Sequence, residues 1–417
     1  MIGDSMKIYV EGYGCTLNIA DTNIIENSLK EFNFEITDNV EDADLVIINT
    51  CVVRLETENR MFARINYFKS LDKKVVVAGC LAKALKKKVE NLADLLIMPR
   101  EAHLSGEIIH EHFVEKNKKE NTINLEEKLK YISPSLITPL PICEGCIGEC
   151  SYCIVKVARG RLISYSREKI VKKAEELINS GTKCLLITAQ DTACYGFDIN
   201  DNLPNLINDL CSINGEFIMR IGMMHAKNVG DILDDLIEAY KDEKVAKLLH
   251  LPLQSGDDGV LKAMKRGYTV DEFISIVNEF RKKIEDLTFV TDIIVGFPTE
   301  TEEAFENTLE VLRKIKPDYI HGAKYTSRKY TEAARMKQID TKIRKRRSEI
   351  LDKLRRELSY MNNKKYVGKK MKVLITEENK GITHNFKVVR FNEDADIGAF
   401  KEIKITDAKT FGLFGNL

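Results

Sequence analysis

Four of the ten cysteines lie within eleven residues, in the stretch CEGCIGECSYC at 143–153. Three of them, Cys146, Cys150 and Cys153, have the spacing C-x3-C-x2-C. Three thiolates on one short loop can each bind one iron of a cubane [4Fe–4S] cluster and leave the fourth iron open to another ligand. A zinc site needs four ligands, usually in two separated pairs, and adding Cys143 would give a cramped zinc knuckle without histidine. The spacing therefore favours an iron–sulfur cluster over zinc.

A second set of cysteines is scattered along the first part of the chain. Cys15, Cys51 and Cys80 each stand just past the carboxyl end of a predicted strand. In a doubly wound sheet these strand ends line one crevice, where ligands bind. One such cysteine would be interpreted as structural, because free cysteine is among the most buried residue types, but three in equivalent places predict a shared ligand site. We interpret the remaining four as core or bystander residues: Cys143, Cys184, Cys194 and Cys211.

The elements that position the second set form an alternating series. Short apolar runs at 7–14, 43–50, 74–79 and 94–99 predict strands, and helical patterns separate them at 21–32, 56–68 and 81–92. This βαβαβαβ order predicts a parallel, doubly wound sheet within an N-terminal α/β domain, 1–113. A highly charged segment, 114–133, follows as a predicted linker with a short helix.

The loop with the C-x3-C-x2-C spacing opens a second β/α series. Six candidate strands alternate with helical patterns, at 137–142, 184–189, 217–222, 248–253, 289–296 and 319–325. They predict a partial (β/α)6 barrel over 134–360, and the cysteine loop follows its first strand. In such barrels the chemistry lies at the carboxyl ends of the strands, on loops of this kind.

The C-terminal part of the chain differs in charge and pattern. A charged helix is predicted at 342–366, and short strands with Gly and Asn turns predict a small antiparallel β-barrel at 361–417. From 341 onward there are 19 Lys and Arg against 10 Asp and Glu, although the whole chain has a formal net charge of zero. A basic C-terminal segment on an otherwise acidic chain suggests a nucleic-acid partner. On charge alone, a solvated basic helix is an equally good explanation.

Bulk properties restrict the class of protein. The 417 residues suffice for two or three domains, and 44% hydrophobic with 31% charged residues is ordinary for a globular protein. No apolar run reaches the roughly 18 residues that span a bilayer, and the first residues lack a secretory pattern. We therefore expect a cytoplasmic protein without a membrane segment, in a compartment where clustered cysteines bind metal more often than they form disulfides.

Several stretches resemble the radical S-adenosylmethionine (SAM) methylthiotransferase family. The cysteine loop and its continuation, CIGECSYCIVKVARGRLISYS, are similar to the family in the aromatic Tyr152 and in the ARG at 158–160. Further similar blocks occur in the family's order: TAQDTACYGFD, LHLPLQSGDDGVLKAMKRGYT and TDIIVGFPTETEEAF. YGCTLNIADT and NTCVVRLETE resemble the family's N-terminal domain, where Asn18 and Thr50 flank the site. The resemblance covers nearly the whole chain and implies a second [4Fe–4S] cluster on the scattered cysteines.

The resemblance also implies cofactors and contacts. SAM would bind the open iron of the first cluster and act both as radical source and as methyl donor, while the second cluster would present sulfur to the substrate. Residues in the matching blocks are implied SAM contacts: Tyr152, Gln190, Asp191, Gln254, Asp292 and Phe297. Arg220, on the third predicted strand of the barrel, is added as a residue that could bind the carboxylate of SAM. Ordinary polarity at strand ends is the alternative for the polar ones, and a structural ion pair for Arg220. His225, His250 and His321 receive no role, because lone histidines are seldom ligands without partners at metal spacing.

The resemblance extends to the substrate. The K-x-A-R-G text is most similar to the archaeal and eukaryotic branch, which methylthiolates C2 of N6-threonylcarbamoyladenosine beside the anticodon of tRNA. The tail resembles the RNA-binding TRAM domain, and an electron donor such as ferredoxin or flavodoxin is implied. Another tRNA adenosine or a ribosomal-protein aspartate are alternative substrates. The chain departs from the family at 326–336, TSRKYTEAARM, where the proline and glycine of the family's Pro-Arg-x-Gly-Thr stretch are absent.

Two rival classes make different predictions. A cobalamin-dependent radical SAM methylase would pair the same two kinds of domain but would usually show D-x-H-x-x-G in the first, and this chain has no such motif. A non-catalytic RNA-binding protein with a structural metal would explain the basic tail but not two sets of three cysteines. The sequence therefore favours the methylthiotransferase.

Overall fold

The computed structural model describes residues 6–53, 55–115 and 123–417, which form two compact units. The first unit comprises Met1–Gly148, Cys153–Ser180 and Thr188–Gln190, and the second comprises Glu149–Tyr152, Gly181–Ile187 and Asp191–Leu417. Within these described ranges, no helix is both long enough and apolar enough to cross a membrane.

A five-stranded parallel sheet forms the centre of the first unit. Its strands lie in the order β2-β1-β3-β4-β5, with the bounds β1 Lys7–Gly12, β2 Glu35–Thr37, β3 Leu45–Thr50, β4 Lys74–Gly79 and β5 Leu95–Ile97. Every residue of β3 is buried, as expected for a central strand covered by helices on both faces. The predicted doubly wound sheet is confirmed. The short strand β2 was missed, because three residues are too few to show an alternating pattern.

Helices and short strands complete the first unit. The helices are α1 Thr16–Glu31, α2 Leu55–Ser70, α3 Cys80–Ala84, α4 Lys86–Val89, α5 Ser105–Ile109, α6 Val155–Arg159 and α7 Arg167–Asn179, with 3-10 turns at Val40–Asp42, Pro99–Leu104 and Leu125–Tyr131 and a π-helix at His110–Glu115. Its other strands are β6 Ile137–Pro141, β7 Cys143–Glu144 and β8 Ile163–Ser164. The single helix predicted at 81–92 is wrong: the chain breaks at Leu85, whose φ and ψ of −124° and 33° are not helical.

The predicted linker, 114–133, lies partly outside the described residues. Its described end contains the 3-10 turn Leu125–Tyr131, and Lys128 on that turn is completely buried. Its ammonium group donates hydrogen bonds to Asp21 on α1 and to the carbonyl oxygen of Pro99. This part of the segment is therefore fixed to the first unit by buried contacts, although its composition is that of a solvated linker.

Parallel strands also form the second unit. Strand β9 (Cys184–Thr188) pairs with β10 (Ile218–Ile221), and β12 (Thr288–Val295) lies between β11 (Leu248–His250) and β13 (Tyr319–Lys324). A bridge between Met219 and Val245 connects β10 to the segment that leads into β11. The structure thus contains every strand predicted for the partial barrel, the first of them as β6 in the first unit.

The helices of the second unit bury one apolar side each. They are α8 Leu203–Cys211, α9 Ala226–Gly230, α10 Leu233–Ala239, α11 Asp258–Ala263, α12 Val270–Lys283, α13 Glu302–Ile315 and α14 Thr341–Lys364, with 3-10 turns at Thr192–Cys194 and Glu332–Arg335. Helix α12 shows the pattern clearly: Phe273, Val277 and Phe280 are buried at helical spacing. Its start is fixed by a capping box, in which Thr269 and Glu272 satisfy each other's backbone N–H groups.

A small closed barrel ends the second unit. Its strands are β14 Lys370–Glu377, β15 Lys380–Thr383, β16 Val388–Arg390, β17 Phe400–Lys409 and β18 Gly412–Asn416, in the order β14-β15-β16-β18-β17. The predicted small barrel is confirmed, with one parallel pair, β16 and β18, among antiparallel ones. Helix α14 continues to Lys364, past the predicted boundary at 360, and the buried Lys387 pairs with Asp318 at 2.7 Å.

Candidate functional site

The three scattered cysteines follow neighbouring strands of the first sheet. Strands β1, β3 and β4 are adjacent, and their carboxyl ends lie at one edge. Cys15 is the N-cap residue of α1, Cys51 directly follows β3, and Cys80 is the first residue of α3. The start of a helix favours negative charge, because its first N–H groups have no partner inside the helix. Two of the three sulfurs, those of Cys15 and Cys80, thus lie at the start of a helix.

Two polar side chains connect the three loops. The amide nitrogen of Asn18 donates to the carbonyl oxygen of Tyr13 at 2.6 Å and to that of Thr50 at 3.0 Å. The Thr50 hydroxyl donates to the Ala78 carbonyl at 2.5 Å and accepts from the N–H of Leu81 at 3.2 Å. These buried hydrogen bonds connect the three loops that carry Cys15, Cys51 and Cys80, each within a few residues of its cysteine. Asn18 and Thr50, which the sequence analysis places beside the site, make these hydrogen bonds.

Close backbone approach keeps two of the loops together. Gly14 has a φ of +120°, which a side chain would strain, and a Cβ there would lie 3.0 Å from the Cβ of Cys51 and 3.2 Å from that of Asn18. Glycine at this position therefore lets the turn before Cys15 pass against Cys51. Cys15 is exposed, whereas Cys51 and Cys80 are buried, so the trio opens to solvent at one end.

The electrostatics of the trio fit an iron–sulfur cluster. Burial raises the pKa of Cys80 to about 11, and the charges of Cys51 and Cys15 raise it further. Burial also raises the pKa of Cys51, while hydrogen bonds from the backbone of Val53 and Val52 lower it. Backbone N–H groups directed at sulfur and thiolates that repel one another are the donor set that a cationic iron core requires. That these cysteines bind a cluster stays a prediction.

A buried group of four charges lies beside this trio. Arg159, the last residue of α6, places Nη1 2.6 Å from Asp21 and donates from Nη2 to Asn18 Oδ1 at 2.7 Å. Lys128 binds Asp21 at 2.9 Å and also pairs with Glu144 on β7. All four charged side chains are almost fully buried, and their formal charges sum to zero. The helix that follows Cys153 is thereby anchored to the helix that follows Cys15.

The loop with the C-x3-C-x2-C spacing begins at a glycine whose backbone conformation a side chain would strain. Gly145 has a φ of +84°, and a Cβ there would lie 2.0 Å from the carbonyl oxygen of Arg161. Its N–H donates to Gln190 Oε1 at 2.6 Å, so Gln190, an implied SAM contact, holds the start of the loop. Farther along, the N–H of Gly148 donates to Cys146 Sγ at 3.2 Å. All three cysteines of the loop are partly exposed, and none of the chain's ten cysteines, all of which are described, forms a disulfide.

Cys150, in the second unit, has two basic neighbours. Arg266 donates from Nη1 to Cys150 Sγ at 3.3 Å, and His225 Nε2 lies 4.0 Å from the same sulfur. Burial lowers the pKa of His225 to about 3, and the charges of Arg266 and Lys227 lower it further, so the imidazole is neutral. The residue before the last cysteine, Tyr152, packs edge-on against the buried ring of Phe297, with ring centroids 6.4 Å apart.

The other implied SAM contacts occupy different environments. The carboxylate of Asp191 is buried and accepts from three donors: the N–H groups of Ala193 and His225 and the side chain of Asn228. Gln254 has a φ of +73°, and its buried Oε1 has no hydrogen-bond partner among the described residues. Among the implied SAM contacts, Gln254 therefore has a buried side-chain oxygen that is available to accept a hydrogen bond.

Arg220 lies apart from these groups. It stands on β10 with its guanidinium carbon 5.5 Å from the ring centroid of Phe386, in the loop between β15 and β16 of the small barrel. Burial lowers its pKa, and no carboxylate oxygen lies within 4.0 Å of it in the described chain. The structure therefore gives Arg220 an aromatic neighbour and no ion pair, and its contact with SAM stays a prediction.

Strand register assembles a polar trio that the sequence analysis missed. Residue 292 of β12 stands opposite 321 of β13, and His250 ends the neighbouring β11. Asp292 accepts from His321 Nδ1 at 2.9 Å and pairs with His250 Nε2 at 3.2 Å. Although burial would raise the pKa of Asp292, these hydrogen bonds hold it well below its usual range. The ligand atoms of the three residues lie within 4.8 Å of one another. The three residues are 29 to 42 positions from their partners, so no local sequence pattern joins them.

The remaining four cysteines are interpreted as core or bystander residues, and their burial agrees with this. Cys143, Cys184 and Cys194 have no exposed surface, and Cys211 is partly buried near the end of α8. Burial raises the pKa of Cys184 to about 12, as expected for an unreactive thiol in an apolar environment.

Comparison with family models covers most of the chain. A model of the radical SAM superfamily matches residues 140–312, a model described as the uncharacterised protein family UPF0004 matches 7–98, and a TRAM domain model matches 364–417. The matches at 7–98 and 364–417 coincide with the parallel sheet of the first unit and with the small closed barrel, and the match at 140–312 covers the cysteine loop and the strands β9 to β12.

Whole-chain relatives share substantial identity. A Methanocaldococcus jannaschii protein named probable threonylcarbamoyladenosine tRNA methylthiotransferase is 71% identical, over 99% of this chain and 97% of that protein. A Pyrococcus horikoshii protein of the same name is 40% identical, with 99% of both chains covered. A Fusobacterium nucleatum protein named tRNA-2-methylthio-N(6)-dimethylallyladenosine synthase is 32% identical, again over 99% of both.

Solved structures share the fold at low identity. The radical SAM methyltransferase TsrM from Kitasatospora setae, with cobalamin and a [4Fe–4S] cluster bound, has a TM-score of 0.57 at 14% identity over 79% of this chain and 77% of that one. The cobalamin-dependent SAM radical enzyme OxsB has a TM-score of 0.52 at 14% identity over 84% and 55%. These likenesses concern the fold alone, so the chemistry must be argued from the residues.

Proposed function

Since this chain belongs to the radical SAM methylthiotransferase family, we propose that it installs a methylthio group at C2 of N6-threonylcarbamoyladenosine, beside the anticodon of tRNA. The observation that carries the reaction class is the pair of cysteine sets: one on the C-x3-C-x2-C loop, and one at the carboxyl ends of β1, β3 and β4. Cobalamin-dependent enzymes share the fold, but the first unit offers three thiols where a corrin-binding motif would be expected.

The residues present fit two [4Fe–4S] clusters and SAM. Cys146, Cys150 and Cys153 would hold one cluster, and the trio described above would hold the second. When bound, these groups and SAM supply the electron, the radical, the sulfur and the methyl group of the reaction. The protein's own residues hold the loops: Gln190 and Gly145 fix the start of the cysteine loop.

Polar groups at the carboxyl end of β11 and on β12 and β13 support this nucleoside. The threonylcarbamoyl substituent carries a hydroxyl, amide groups and a carboxylate, whereas a dimethylallyl substituent is wholly apolar. His250, Asp292 and His321 form a hydrogen-bonded trio, and the second nitrogen of the half-exposed His321 has no hydrogen-bond partner among the described residues. A site with unpaired polar groups discriminates strongly against a ligand that leaves them unpaired.

Features of the second unit suit an RNA partner. Phe411, between β17 and β18, is 57% exposed and lies under two guanidinium groups, those of Arg355 and Arg356, at 5.7 and 5.8 Å from its ring centroid. A cavity of about 150 Å³ beside it is lined by Phe411, Arg355 and His321. Aromatic rings with neighbouring cations bind unstacked bases and phosphates. The proposal includes a one-electron donor such as ferredoxin or flavodoxin, and action in the cytoplasm.

Another tRNA adenosine is the second candidate substrate. It is favoured by the 32% identity to the dimethylallyladenosine synthase, whereas relatives at 71% and 40% carry the threonylcarbamoyl name. The residues that the structure describes offer no feature that favours a ribosomal-protein aspartate or a non-catalytic role with a structural metal.

Two measurements test the proposal. Mass spectrometry of tRNA nucleosides from a strain lacking the gene should show loss of 2-methylthio-N6-threonylcarbamoyladenosine and accumulation of the unmethylthiolated nucleoside. An unchanged amount in that strain contradicts the substrate. Anaerobic reconstitution should give about eight irons per chain, and C15A/C51A/C80A about four with reductive SAM cleavage retained. Bound zinc, or about four irons in the unaltered chain, contradicts the reaction class.

A further inference from the structure

Arg266 is a buried cation at a candidate cluster ligand. Its side chain is 5% exposed and has a neutral partner on two sides: Nε donates to the Tyr268 hydroxyl and Nη2 to the Pro252 carbonyl, both at 3.0 Å. The third side faces Cys150, with Nη1 at 3.3 Å from Sγ. The guanidinium is thus aimed at the sulfur by fixed hydrogen bonds.

Arg266 forms no ion pair with an acid among the described residues, and the buried carboxylate of Asp191 acts on it only from longer range. In the part of the chain that the structure describes, no carboxylate oxygen lies within the 4.0 Å of an ion pair with this residue. A buried guanidinium without a counter-charge is costly, so most buried arginines are paired with acids. Nη1 also donates to the Tyr152 hydroxyl at 3.4 Å, and an anionic cluster bound through Cys150 would supply negative charge on this side of Arg266.

The first unit has a corresponding arginine at its own cysteine trio. Arg159 is 2% exposed, and its Nη2 donates to Asn18 Oδ1, which lies 3.7 Å from Cys80 Sγ. The charge and a hydrogen bond of Arg159 lower the pKa of Cys80 against the larger effect of burial. Arg159 therefore directs Nη2 toward a buried sulfur, while Nη1 is paired with Asp21 at 2.6 Å and Glu144 at 3.5 Å, so that, unlike Arg266, it also has acidic partners.

We propose that each cluster has a dedicated buried counter-cation that sets its reduction potential: Arg266 for the cluster on Cys150, and Arg159 for the cluster on Cys80. The inference rests on the proposed function, because it assumes two clusters on these cysteines. Hydrogen bonds to cluster sulfurs and local net charge are two of the means by which proteins tune such potentials. Adding an electron makes a cluster more negative, so a fixed cation beside it favours the reduced state and raises the potential. Both arginines act through the clusters and are positioning residues.

The test is a redox titration of one cluster at a time. The cluster on Cys150 is isolated in C15A/C51A/C80A and that on Cys80 in C146A/C150A/C153A, each reconstituted anaerobically and followed by electron paramagnetic resonance. R266Q should lower the potential of the first cluster by at least about 59 mV, a tenfold change in the ratio of reduced to oxidised cluster for one electron. R159Q should lower that of the second by a similar amount. Neither should shift the other cluster.

Matched variants separate charge from packing. R266K and R159K keep the charge and should keep most of the potential, and R281Q is the control. Arg281 is a half-buried arginine of α12 that donates to the carbonyl oxygens of Ile315 and Lys316 and contacts no cysteine. If R266Q fails to assemble its cluster while R266K assembles it, the charge is required and the inference stands. If both fail, or if the glutamine variants load and shift neither potential, it is wrong. Absence of iron in the unaltered chain would instead reject the proposed function.

Discussion

Replacing Lys128 by Met should destabilise the first unit severely, although the residue lies in a segment with the composition of a linker. Lys128 is completely buried and is shared between Asp21 and Glu144, with Arg159 as the second cation of the group. The variant would leave two buried carboxylates with one buried cation. Breaking a buried ion pair by removing one partner costs about 3–5 kcal/mol, because the remaining charge is uncompensated. For a unit of this size that corresponds to a fall in melting temperature of about 6–20 °C.

The pattern of variants distinguishes charge from packing. K128M/E144Q again leaves one anion and one cation, and should recover more than half of the lost stability. K130M is the control on the same 3-10 turn: Lys130 pairs with Glu31 at 2.6 Å, but both side chains are about half exposed, so its loss should cost less than about 1 kcal/mol. The chain has no tryptophan, so unfolding is best followed by anaerobic calorimetry or far-ultraviolet circular dichroism. A K128M chain as stable as K130M, or a double variant less stable than K128M, would refute this reasoning.

Four further predictions concern single positions. G145A should lose the cluster of the C-x3-C-x2-C loop, because the added Cβ would lie 2.0 Å from a carbonyl oxygen. Iron bound after reconstitution should then fall to about four per chain, and about eight would contradict this prediction. Y330G should stabilise the second unit by about 0.5–1 kcal/mol, since Tyr330 stands at a φ of +73° where the family has glycine, and an unchanged melting temperature counts against it. Burial, with Lys128 nearby, lowers the pKa of His103 from 6.5 to about 4. The unfolded chain therefore binds the proton first, and stability should fall by about 1.3 kcal/mol from about pH 7.5 to about pH 5.5; H103Q should abolish that part of the slope. F411A should weaken tRNA binding by about 1–3 kcal/mol in filter binding at fixed salt, and a change under about twofold means that no base stacks there.

Sequence patterns predicted the parts of the fold that depend on local composition. The run LVIINT became the fully buried β3, because a central parallel strand must be apolar on both faces. Parallel topology then placed Cys15, Cys51 and Cys80 at one sheet edge, so three residues far apart in sequence could be assigned to one site. The pattern failed for the three-residue β2 and for the break at Leu85, where the signal is shorter than one period of a strand or helix.

Polar partners that meet only in the folded chain could not be predicted in this way. His250 and His321 are separated by three helices and strand β12, and only the register that sets Asp292 opposite 321 makes them a group. The average charge of a segment likewise hides a single buried lysine such as Lys128. A signal was present for the arginines: Arg159 belongs to the ARG text and Arg266 to the KRGYT text, both inside stretches with a family resemblance.

The contrast between cysteines and arginines has a physical basis. When the ligands of a cluster lie on one loop, they must be close together in the sequence, so a local motif such as C-x3-C-x2-C reveals them. Compensation of the cluster's charge has no such constraint, because a guanidinium can reach a sulfur from any element that packs nearby, as Arg266 reaches Cys150 from 116 positions away. Arg266 is a buried cation that forms no ion pair among the described residues, with Asp191 acting on it only from beyond 4.0 Å, and such burial is costly in the folded state. A group that binds the folded chain and supplies the missing charge therefore stabilises it, so loading of the cluster and stability of the second unit should be coupled.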